Sequence, residues 1–335
     1  MTFKESHEKT SVTHQLRQGM AEKMVQLVCP DKKLTSFDLI AGGCANLNYK
    51  ILLEDEKYPL ILRIYMRDKD AAYREQKLGA LLKHTVPVPL TYNIGEIDGY
   101  RFAITEFIFG ISLRDLLLGN LPHDISLIMH EVGTILSKIT EHEFSNAGFF
   151  DKELGVVPHT SSDHYLTFAK ECLEKTTVLS VLNPHAISKI NHYLDKYGHL
   201  FPKENEKHLI HADFEPANIL VCMVNGAWKV SGILDWEFSF SGSVLCDVAN
   251  MLRYAHKMPS EFQDAFLKGF TSGSIVLPDN WRTTVHLLNL ISLLDCLQRS
   301  DALNRPNQCA DIRELIDHIL KELDGFSGVH LPHKI

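Results

Sequence analysis

Residues 208–221, HLIHADFEPANILV, place one histidine, one aspartate and one asparagine between apolar runs that have the composition of buried strands. These residues are His211, Asp213 and Asn218. One interpretation is a tight loop between two strands, in which the Asp and Asn side chains bind backbone groups and Pro216 fixes a turn. The other interpretation is a loop whose carboxylate and amide take part in a reaction. The remainder of the sequence distinguishes between the two.

Two apolar runs continue from this loop, NILVCMV and AWKVSGILD, and Asn225-Gly226 joins them. Asn-Gly is the dipeptide that most readily adopts the positive φ angles of a two-residue hairpin turn. A hairpin here returns the end of its second strand to the loop from which its first strand began. We therefore expect Asp235, the last residue of the second run, to lie near that loop.

The hydrophobic pattern divides the chain into a β-rich N-terminal part and a larger helical part. The first part contains an amphipathic helix over residues 12–28, several short alternating strands and a further helix in the stretch AAYREQKLGALLKH. In the second part, helices are predicted over residues 112–119, 124–142, 162–179, 185–199, 247–256, 260–270, 281–300 and 308–323. The sequence thus predicts an α+β fold with two lobes, residues 1–107 and 108–335, a hinge near residues 106–110, and a single hairpin among the helices of the second lobe.

Composition limits the classes of function. A chain of 335 residues exceeds the usual size of one hydrophobic core, which agrees with two lobes. The formal net charge is −8, so the chain lacks the basic surface that nucleic-acid phosphates require, and we expect no nucleic-acid partner. The seven cysteines are widely spaced without a CxxC pair, and no apolar run is long enough to cross a bilayer. We therefore expect a cytoplasmic protein with reduced thiols and no membrane partner.

The polar residues of the loop suit phosphoryl transfer. This reaction needs a group beside the accepting hydroxyl, ligands for magnesium, and positive charge on the phosphates. Asp213 can serve as the first group, and Asn218 lies five residues further along the same loop. The oxygen atoms of Asn218 and Asp235 are hard ligands of the type that Mg²⁺ prefers. The loop and the hairpin together therefore have the residue types of a phosphoryl-transfer site.

HADFEPANILV, followed by the hairpin and ILDWE, resembles the catalytic and metal-binding motifs of the aminoglycoside phosphotransferase and choline kinase family. That family is a small-molecule branch of the protein-kinase-like fold, and the resemblance extends over nearly the whole chain. It implies that Asp213 orients the acceptor hydroxyl and takes its proton, and that Asn218 and Asp235 hold Mg²⁺. It also implies that His211 packs and hydrogen-bonds the loop, and that Asp247 opens a helix and braces the catalytic region.

The resemblance extends to the N-terminal part of the chain. AGGCANLNYKI is similar to the family's phosphate-covering hairpin loop, which implies that Gly42, Gly43 and Asn46 bind the nucleotide. Glycines there let backbone N–H groups approach phosphate oxygens. Arg63 and Glu75 occupy the positions of the family's ion pair, which grips the α- and β-phosphates. Arginine in place of lysine is a departure, because its planar guanidinium needs more room than an ammonium.

The stretch ITEFIFG resembles the segment that binds the nucleotide base. The implied contacts are the backbone carbonyl of Glu106 and the backbone amide of Ile108, with Thr105 at the back of the pocket. A small threonine leaves space for adenine, so ATP is the expected co-substrate and GTP is the alternative.

The expected second substrate is a hydroxyl of a small, cationic molecule, with an aminoglycoside-like acceptor first. The alternatives are choline, homoserine, thiamine or a sugar, or a nucleotide-binding module with little turnover. Glu215 is acidic where protein kinases carry a lysine, and only eleven residues separate Asp235 from Asp247, both of which disfavour a protein substrate. The candidates for acceptor contacts are Glu215, Trp236, Glu237 and Asp295.

Overall fold

A computed structural model describes residues 3–8, 16–40, 46–158, 163–273 and 275–327 of the chain. Gly42 and Gly43, predicted to lie against the nucleotide phosphates, fall outside the described residues. None of the described helices is both long enough and apolar enough to cross a membrane.

The N-terminal part is built on a five-stranded antiparallel sheet with the strand order β1-β2-β3-β5-β4. The strands are β1 (Leu34–Leu39), β2 (Asn46–Leu53), β3 (Leu60–Tyr65), β4 (Thr91–Ile97) and β5 (Tyr100–Glu106). Helix α1 (Gln18–Val28) contacts β1 and β4, and α2 (Ala71–Leu82) lies between β3 and β4 in sequence. The core of this part includes four buried side chains from β3 and β5, which cluster with side chains of α1. They are Leu62, Ile64, Phe102 and Ile104.

The helical part contains nine helices among the described residues. They are α3 (Leu113–Leu118), α4 (Ile125–Thr140), α5 (His164–Leu173), α6 (Thr176–Val181), α7 (Pro184–Tyr197), α8 (Leu245–Leu252), α9 (Ser260–Phe270), α10 (Trp281–Gln298) and α11 (Pro306–Ser327). Local sequence sets several helix starts. The side chain of Asp124 accepts a hydrogen bond from the backbone N–H of Leu127 and so caps α4, and Asn183 caps α7 in the same way before Pro184.

Helices α4 and α9 pack closely because each presents a glycine to the other. A Cβ on Gly133 would lie 2.0 Å from the carbonyl oxygen of Phe266, and a Cβ on Gly269 would lie 2.0 Å from that of His130. Such distances are far inside van der Waals contact, so any side chain at either position would force the helices apart. Helix α4 also contacts β9 (His208–Ile210), which precedes the loop, and β11 (Ala227–Ile233), the second strand of the hairpin. The helix pair therefore supports the strands on both sides of the loop.

The predicted hairpin is present as β10 (Ile219–Val224) and β11. Asn225 and Gly226 have φ angles of 51° and 80°, the positive values that a tight hairpin turn requires. Strand β6 (Ile111–Ser112) follows the segment that leaves β5 and pairs with β10. The strands β11, β10 and β6 therefore form a three-stranded sheet. The backbone N–H of Leu234 donates to the carbonyl of Asn218 over 2.8 Å, so the hairpin returns to its starting loop.

Two features of the helical part differ from the sequence prediction. The helix predicted over 162–179 is two helices, because Lys175 is extended (ψ 134°) and interrupts the helical backbone. The hairpin is also accompanied by a second sheet, with the strand order β8-β7-β12-β9. Its strands β7 (Gly148–Phe150), β8 (Val156–Pro158), β9 and β12 (Phe240–Gly242) have three residues each, too few for a recognisable alternation.

Candidate active site between the sheet and the helices

The loop after β9 is held by a single buried carboxylate. Asp247, in the first turn of α8, accepts hydrogen bonds from the backbone N–H groups of His211 and Ala212 over 2.7 and 2.8 Å. Ala212 has a φ of 71°, which a residue with a side chain adopts only under constraint. The Asn250 amide adds a bond of 2.7 Å to the carbonyl of Ala212. The loop conformation is therefore imposed by α8.

His211 connects the loop to the end of the hairpin. Its Nδ1 accepts from the backbone N–H of Asp213 at 3.2 Å, so Nε2 carries the proton and donates to the carbonyl of Leu234 at 2.8 Å. Burial lowers the pKa of His211, which keeps the ring neutral in this tautomer. His211 thereby fixes the distance between the loop and the residue that precedes Asp235.

Asp213 and Asn218 are bound to each other at the end of the hairpin, next to the residue that precedes Asp235. The Asn218 amide nitrogen donates to the Asp213 Oδ2 atom over 2.8 Å and to the Asp213 carbonyl over 3.0 Å. Because that nitrogen is the donor, the amide oxygen of Asn218 is the atom that can coordinate a cation. Asp235 follows Leu234, whose N–H is bound to Asn218, and it has a φ of 67°. The donor set is therefore a carboxylate and an amide oxygen, which suits Mg²⁺.

A buried charge network extends from Asp235 into the sheet. The guanidinium of Arg63 on β3 lies 2.5 Å from Asp235 and 3.1 Å from Glu75 on α2. Burial raises the pKa of Glu75 despite the neighbouring guanidinium, and the hydroxyl of Tyr65 donates to its other oxygen at 2.5 Å. The Nε atom of Arg63 is buried without a hydrogen-bond partner, and so is one oxygen of Glu237. A buried unpaired donor beside a cavity is what an incoming anionic oxygen would satisfy.

A cavity of about 280 Å³ lies directly beside this network. Its walls include Arg63, Glu75 and Asp235 at one end, and Thr105, Glu106 and Ile108 along the segment that leaves β5. The pocket therefore joins a largely apolar slot, suited to a flat ring, to a charged end that contains Arg63. Asn46 lies at the edge of this region, because its amide donates to Glu237 over 2.7 Å and its oxygen accepts from the backbone N–H of Met66.

The four residues proposed for the acceptor already have intramolecular partners. Glu215 pairs with Lys4 at 2.7 Å, and Glu237 is 5% exposed and bound to Asn46. Trp236 is 4% exposed, donates to the carbonyl of Ile233, and packs against the ring of His211 with 4.5 Å between centroids.

Asp295 is separate from the other acceptor candidates. Its carboxylate pairs with Arg299, the residue that follows α10, and no hydrogen bond or ion pair among the described residues links it to the loop. Its interactions are those of a local helical ion pair.

Sequence reasoning missed Lys4, Asn250 and Arg74. Arg74 donates from α2 to the backbone carbonyl of Glu237 at 3.1 Å, which ties the sheet region to the residues after Asp235. Lys4 lies next to Asp213 although 209 residues separate them in sequence. No local pattern marks either residue, whereas Asn250 could have been found from its place one helical turn after Asp247.

The described strands and helices form the two-lobed, protein-kinase-like architecture. Residues 36–284 match the phosphotransferase enzyme family (APH), and the chain belongs to that family. An uncharacterized protein encoded in the ileS 3′ region of Staphylococcus aureus is 33% identical over 79 residues, which cover 24% of this chain. The match spans 60% of that relative's length.

Solved structures show the same fold at low identity. A ternary complex of a thermostable mutant of aminoglycoside phosphotransferase APH(4)-Ia with AMP-PNP and hygromycin B has a TM-score of 0.68 at 17% identity, covering 90% of this chain and 97% of that one. The GDP and kanamycin complex of APH(2″)-IIia gives 0.67 at 18%, covering 90% and 99%. Choline kinase LicA from Streptococcus pneumoniae gives 0.60 at 13%, again covering 90% and 99%.

Proposed function

We propose that the protein transfers the terminal phosphate of ATP to a hydroxyl of a small molecule. One arrangement carries the proposal. Asp213 is bound to Asn218, the Asn218 carbonyl is bound to the N–H of Leu234, and the next residue, Asp235, lines the charged end of a cavity whose other end is lined by Glu106 and Ile108. Separate elements bring these groups together, and turn formation alone would require no such cluster.

Asp213 is the residue proposed to receive the acceptor hydroxyl. Its Oδ2 atom is held by Asn218, which leaves Oδ1 to accept the hydroxyl proton while the hydroxyl oxygen attacks the phosphorus. Burial alone would raise the pKa of Asp213, but the positive charges of Lys4 and Arg253 and the hydrogen bond from Asn218 lower it below its usual value. Asp213 is therefore ionised at neutral pH and orients the hydroxyl as a hydrogen-bond acceptor.

Asn218 and Asp235 are proposed to hold Mg²⁺, which would neutralise phosphate charge when bound. The described residues contain no group of three or more His, Cys, Asp or Glu side chains with metal-site geometry. With two ligands from the protein, the ion would take its remaining ligands from the nucleotide and water, as Mg²⁺ commonly does. Arg63, positioned by Glu75, is proposed to contact the phosphates, and Asn46 lies where it can order the neighbouring strand.

ATP is proposed as the nucleotide, with the base between Thr105 and the backbone of Glu106 and Ile108. GTP is the alternative, because one similar structure was determined with GDP and another with AMP-PNP. Gly42 and Gly43 remain the proposed cover of the phosphates.

An aminoglycoside-like acceptor is proposed first, since similar folds were solved with hygromycin B and kanamycin. A metabolic alcohol is the second candidate, supported by the choline kinase of the same fold. The carboxylates of Glu215, Glu237 and Asp295 already have partners, so a preference for cations would come from other groups or from the chain's net charge of −8.

The test is a coupled ADP-release assay of the purified protein against aminoglycosides, choline, amino alcohols and sugars. Acceptor-dependent release that disappears in Asp213→Asn supports the proposal and identifies the acceptor class. A protein that shows no transfer to any acceptor, yet is stabilised against heat by ATP with Mg²⁺, would instead be a nucleotide-binding module.

A further inference from the structure

The N-terminal segment, residues 3–8, is built into the helical part of the molecule beside the candidate active site. Phe3 is 3% exposed and its ring lies 5.2 Å from that of Tyr254 and 6.1 Å from that of Phe262. The Glu8 carboxylate accepts from two backbone N–H groups in the first turn of α11, at 2.7 and 3.2 Å. A carboxylate in this position satisfies orphan donors and complements the helix dipole.

A further contact fixes the middle of the segment. The Nε2 atom of His7 lies 2.9 Å from an Asp311 oxygen that also accepts from the hydroxyl of Tyr254 at 2.5 Å. Phe3 is buried before Lys4, and His7 and Glu8 form hydrogen bonds after it, so the segment is attached to the helical part on both sides of Lys4. Lys4 itself has a φ of 64°, an unfavourable value for a lysine that these contacts impose.

The side chain of Lys4 reaches the catalytic loop. Its Nζ atom lies 2.7 Å from Glu215 and 3.4 Å from the Oδ1 atom of Asp213. The Oδ1 atom is the one that Asn218 leaves available. The Lys4 side chain is 29% exposed, whereas that of Glu215 is 9% exposed. The ammonium thus contacts a buried carboxylate, while part of the Lys4 side chain remains exposed.

The charges around the loop are unevenly distributed. Arg63 pairs with Asp235 and Glu75 on the side of the cavity, and it makes no contact with Glu215 among the described residues. The charge of Arg253 also acts on Asp213, but its guanidinium is bound behind the loop by Asn250, Asn289 and Ser292. Within the described part of the chain, Lys4 is the cation in direct contact with the carboxylates of both Asp213 and Glu215.

We propose that Lys4 is a catalytic residue whose ammonium contacts the transferring phosphoryl oxygens on the acceptor side, and that Glu215 is the residue that positions it. The inference rests on the proposed phosphotransferase function. In the step considered, the hydroxyl oxygen bonds to phosphorus, the bond from phosphorus to the bridging oxygen of ADP breaks, and the hydroxyl proton passes to Asp213. Lys4 keeps its proton throughout and offsets negative charge on the oxygens as they move between the two partners.

The first experiment compares Lys4→Met and Lys4→Arg with the wild type in the ADP-release assay. Lys32→Met is the matched control, because Lys32 forms an ion pair with Glu56 far from the loop. We expect Lys4→Met to lower kcat roughly 100-fold, the usual effect of removing one preorganised donor. We expect Lys4→Arg to retain most of kcat. The KM for ATP should change little in both Lys4 variants, and Lys32→Met should match the wild type.

The second experiment needs no acceptor. Aluminium fluoride with MgADP imitates a planar phosphoryl group in transfer, so the wild type should gain thermal stability from the fluoride beyond that from MgADP. Lys4→Met should keep the MgADP gain and lose the fluoride-dependent gain. A variant that only loosened the N-terminal segment would have a lower starting Tm but the same fluoride response.

The outcomes separate the two proposals. If the wild type transfers no phosphate and shows no fluoride response, the proposed function fails and this inference fails with it. If the wild type responds and Lys4→Met responds equally, in turnover and with fluoride, only the role of Lys4 is wrong. If Lys4→Met turns over faster or has a lower acceptor KM, the segment is an occupant that blocks the acceptor, and the catalytic role is overturned.

Discussion

Arg63 and Asp235 are joined by a contact of 2.5 Å that links a central strand of the N-terminal sheet to the residue after the hairpin. The same guanidinium also lies 3.1 Å from Glu75 and 4.0 Å from Glu237, so one cation faces three buried or half-buried carboxylates. If Arg63 contacts the phosphates and Asp235 holds Mg²⁺ as proposed, a bound nucleotide would redistribute these contacts, because phosphate would compete with Asp235 for Arg63 and Mg²⁺ would compete with Arg63 for Asp235.

We expect Arg63→Met to destabilise the fold by about 3 kcal/mol or more, since it leaves buried carboxylates without their counter-ion. Arg63→Lys retains the charge but replaces a planar fork by a point charge, so it should cost much less. Urea unfolding measures both, and titration calorimetry with MgATP should show weaker binding for Arg63→Met. Arg101→Met, which disrupts a pair with the exposed Glu96, is the control and should cost less than Arg63→Met.

Asp235→Asn should change how turnover depends on Mg²⁺. The substitution removes a charged ligand, so we expect the Mg²⁺ concentration for half-maximal turnover to rise roughly 10-fold or more. Asn218→Ala should shift the same titration in the same direction. Asp195→Asn, at an exposed pair with Lys170, should leave the titration unchanged. Equal Mg²⁺ dependence in all four proteins would exclude Asn218 and Asp235 as metal ligands.

Thr105 should control access to the apolar end of the cavity. It is buried and lines a space of only about 280 Å³, so Thr105→Met would project into the volume proposed for the base. We expect the KM for ATP to rise roughly 10-fold or more, equivalent to about 1.4 kcal/mol, with the acceptor KM unchanged. Thr105→Ala should tolerate ATP with little loss. An unchanged KM for ATP in Thr105→Met would place the base elsewhere.

Asp247 should make stability depend on pH. Burial raises its pKa to about 7, although the N–H groups of His211 and Ala212 favour the ionised form. The folded protein therefore binds a proton that the unfolded chain releases near pH 4, so stability from this group falls as pH rises from about 4 to about 7. Asp247→Asn should flatten that part of the profile relative to the wild type.

The measurement for Asp247 is urea unfolding at several pH values between 4 and 8. The comparison between the two proteins is needed because Glu237, whose pKa burial raises to about 7, contributes in the same direction. We also expect Asp247→Ala to be less stable than Asp247→Asn by roughly 1–3 kcal/mol, because it leaves two buried backbone donors without an acceptor. A steeper fall with pH in Asp247→Asn would contradict the assignment.

The sequence predicted the class of fold and the family because their signals are local and ordered along the chain. Asn225-Gly226 specifies a hairpin by backbone geometry alone, and this turn returns Asp235 to the loop. The roles of Asp213, Asn218 and Asp235 remain proposals, although the structure brings the three together. The two-lobe boundary at residue 107 likewise remains a prediction.

The rest could not be predicted because it depends on long-range packing. The three-residue strands of the second sheet carry no period of their own, and they exist only because β9 and β12 are brought together. Lys4 gives no local signal in a polar N-terminus, and its position depends on a pocket for Phe3 and a cap for α11. Glu215 could be recognised as unusual, but its partner could not be identified from the sequence.

Glu237 ties the N-terminal sheet to the helical part, which would affect product release in the proposed reaction. Its side chain is held by Asn46 on β2 and its carbonyl by Arg74 on α2, yet it lies only two residues after Asp235 in the helical part. If the cavity holds the nucleotide as proposed, any widening that releases ADP must either rupture both bonds or draw the backbone after Asp235 along with the sheet. In the second case, the proposed Mg²⁺ ligands Asp235 and Asn218 would separate in the same movement.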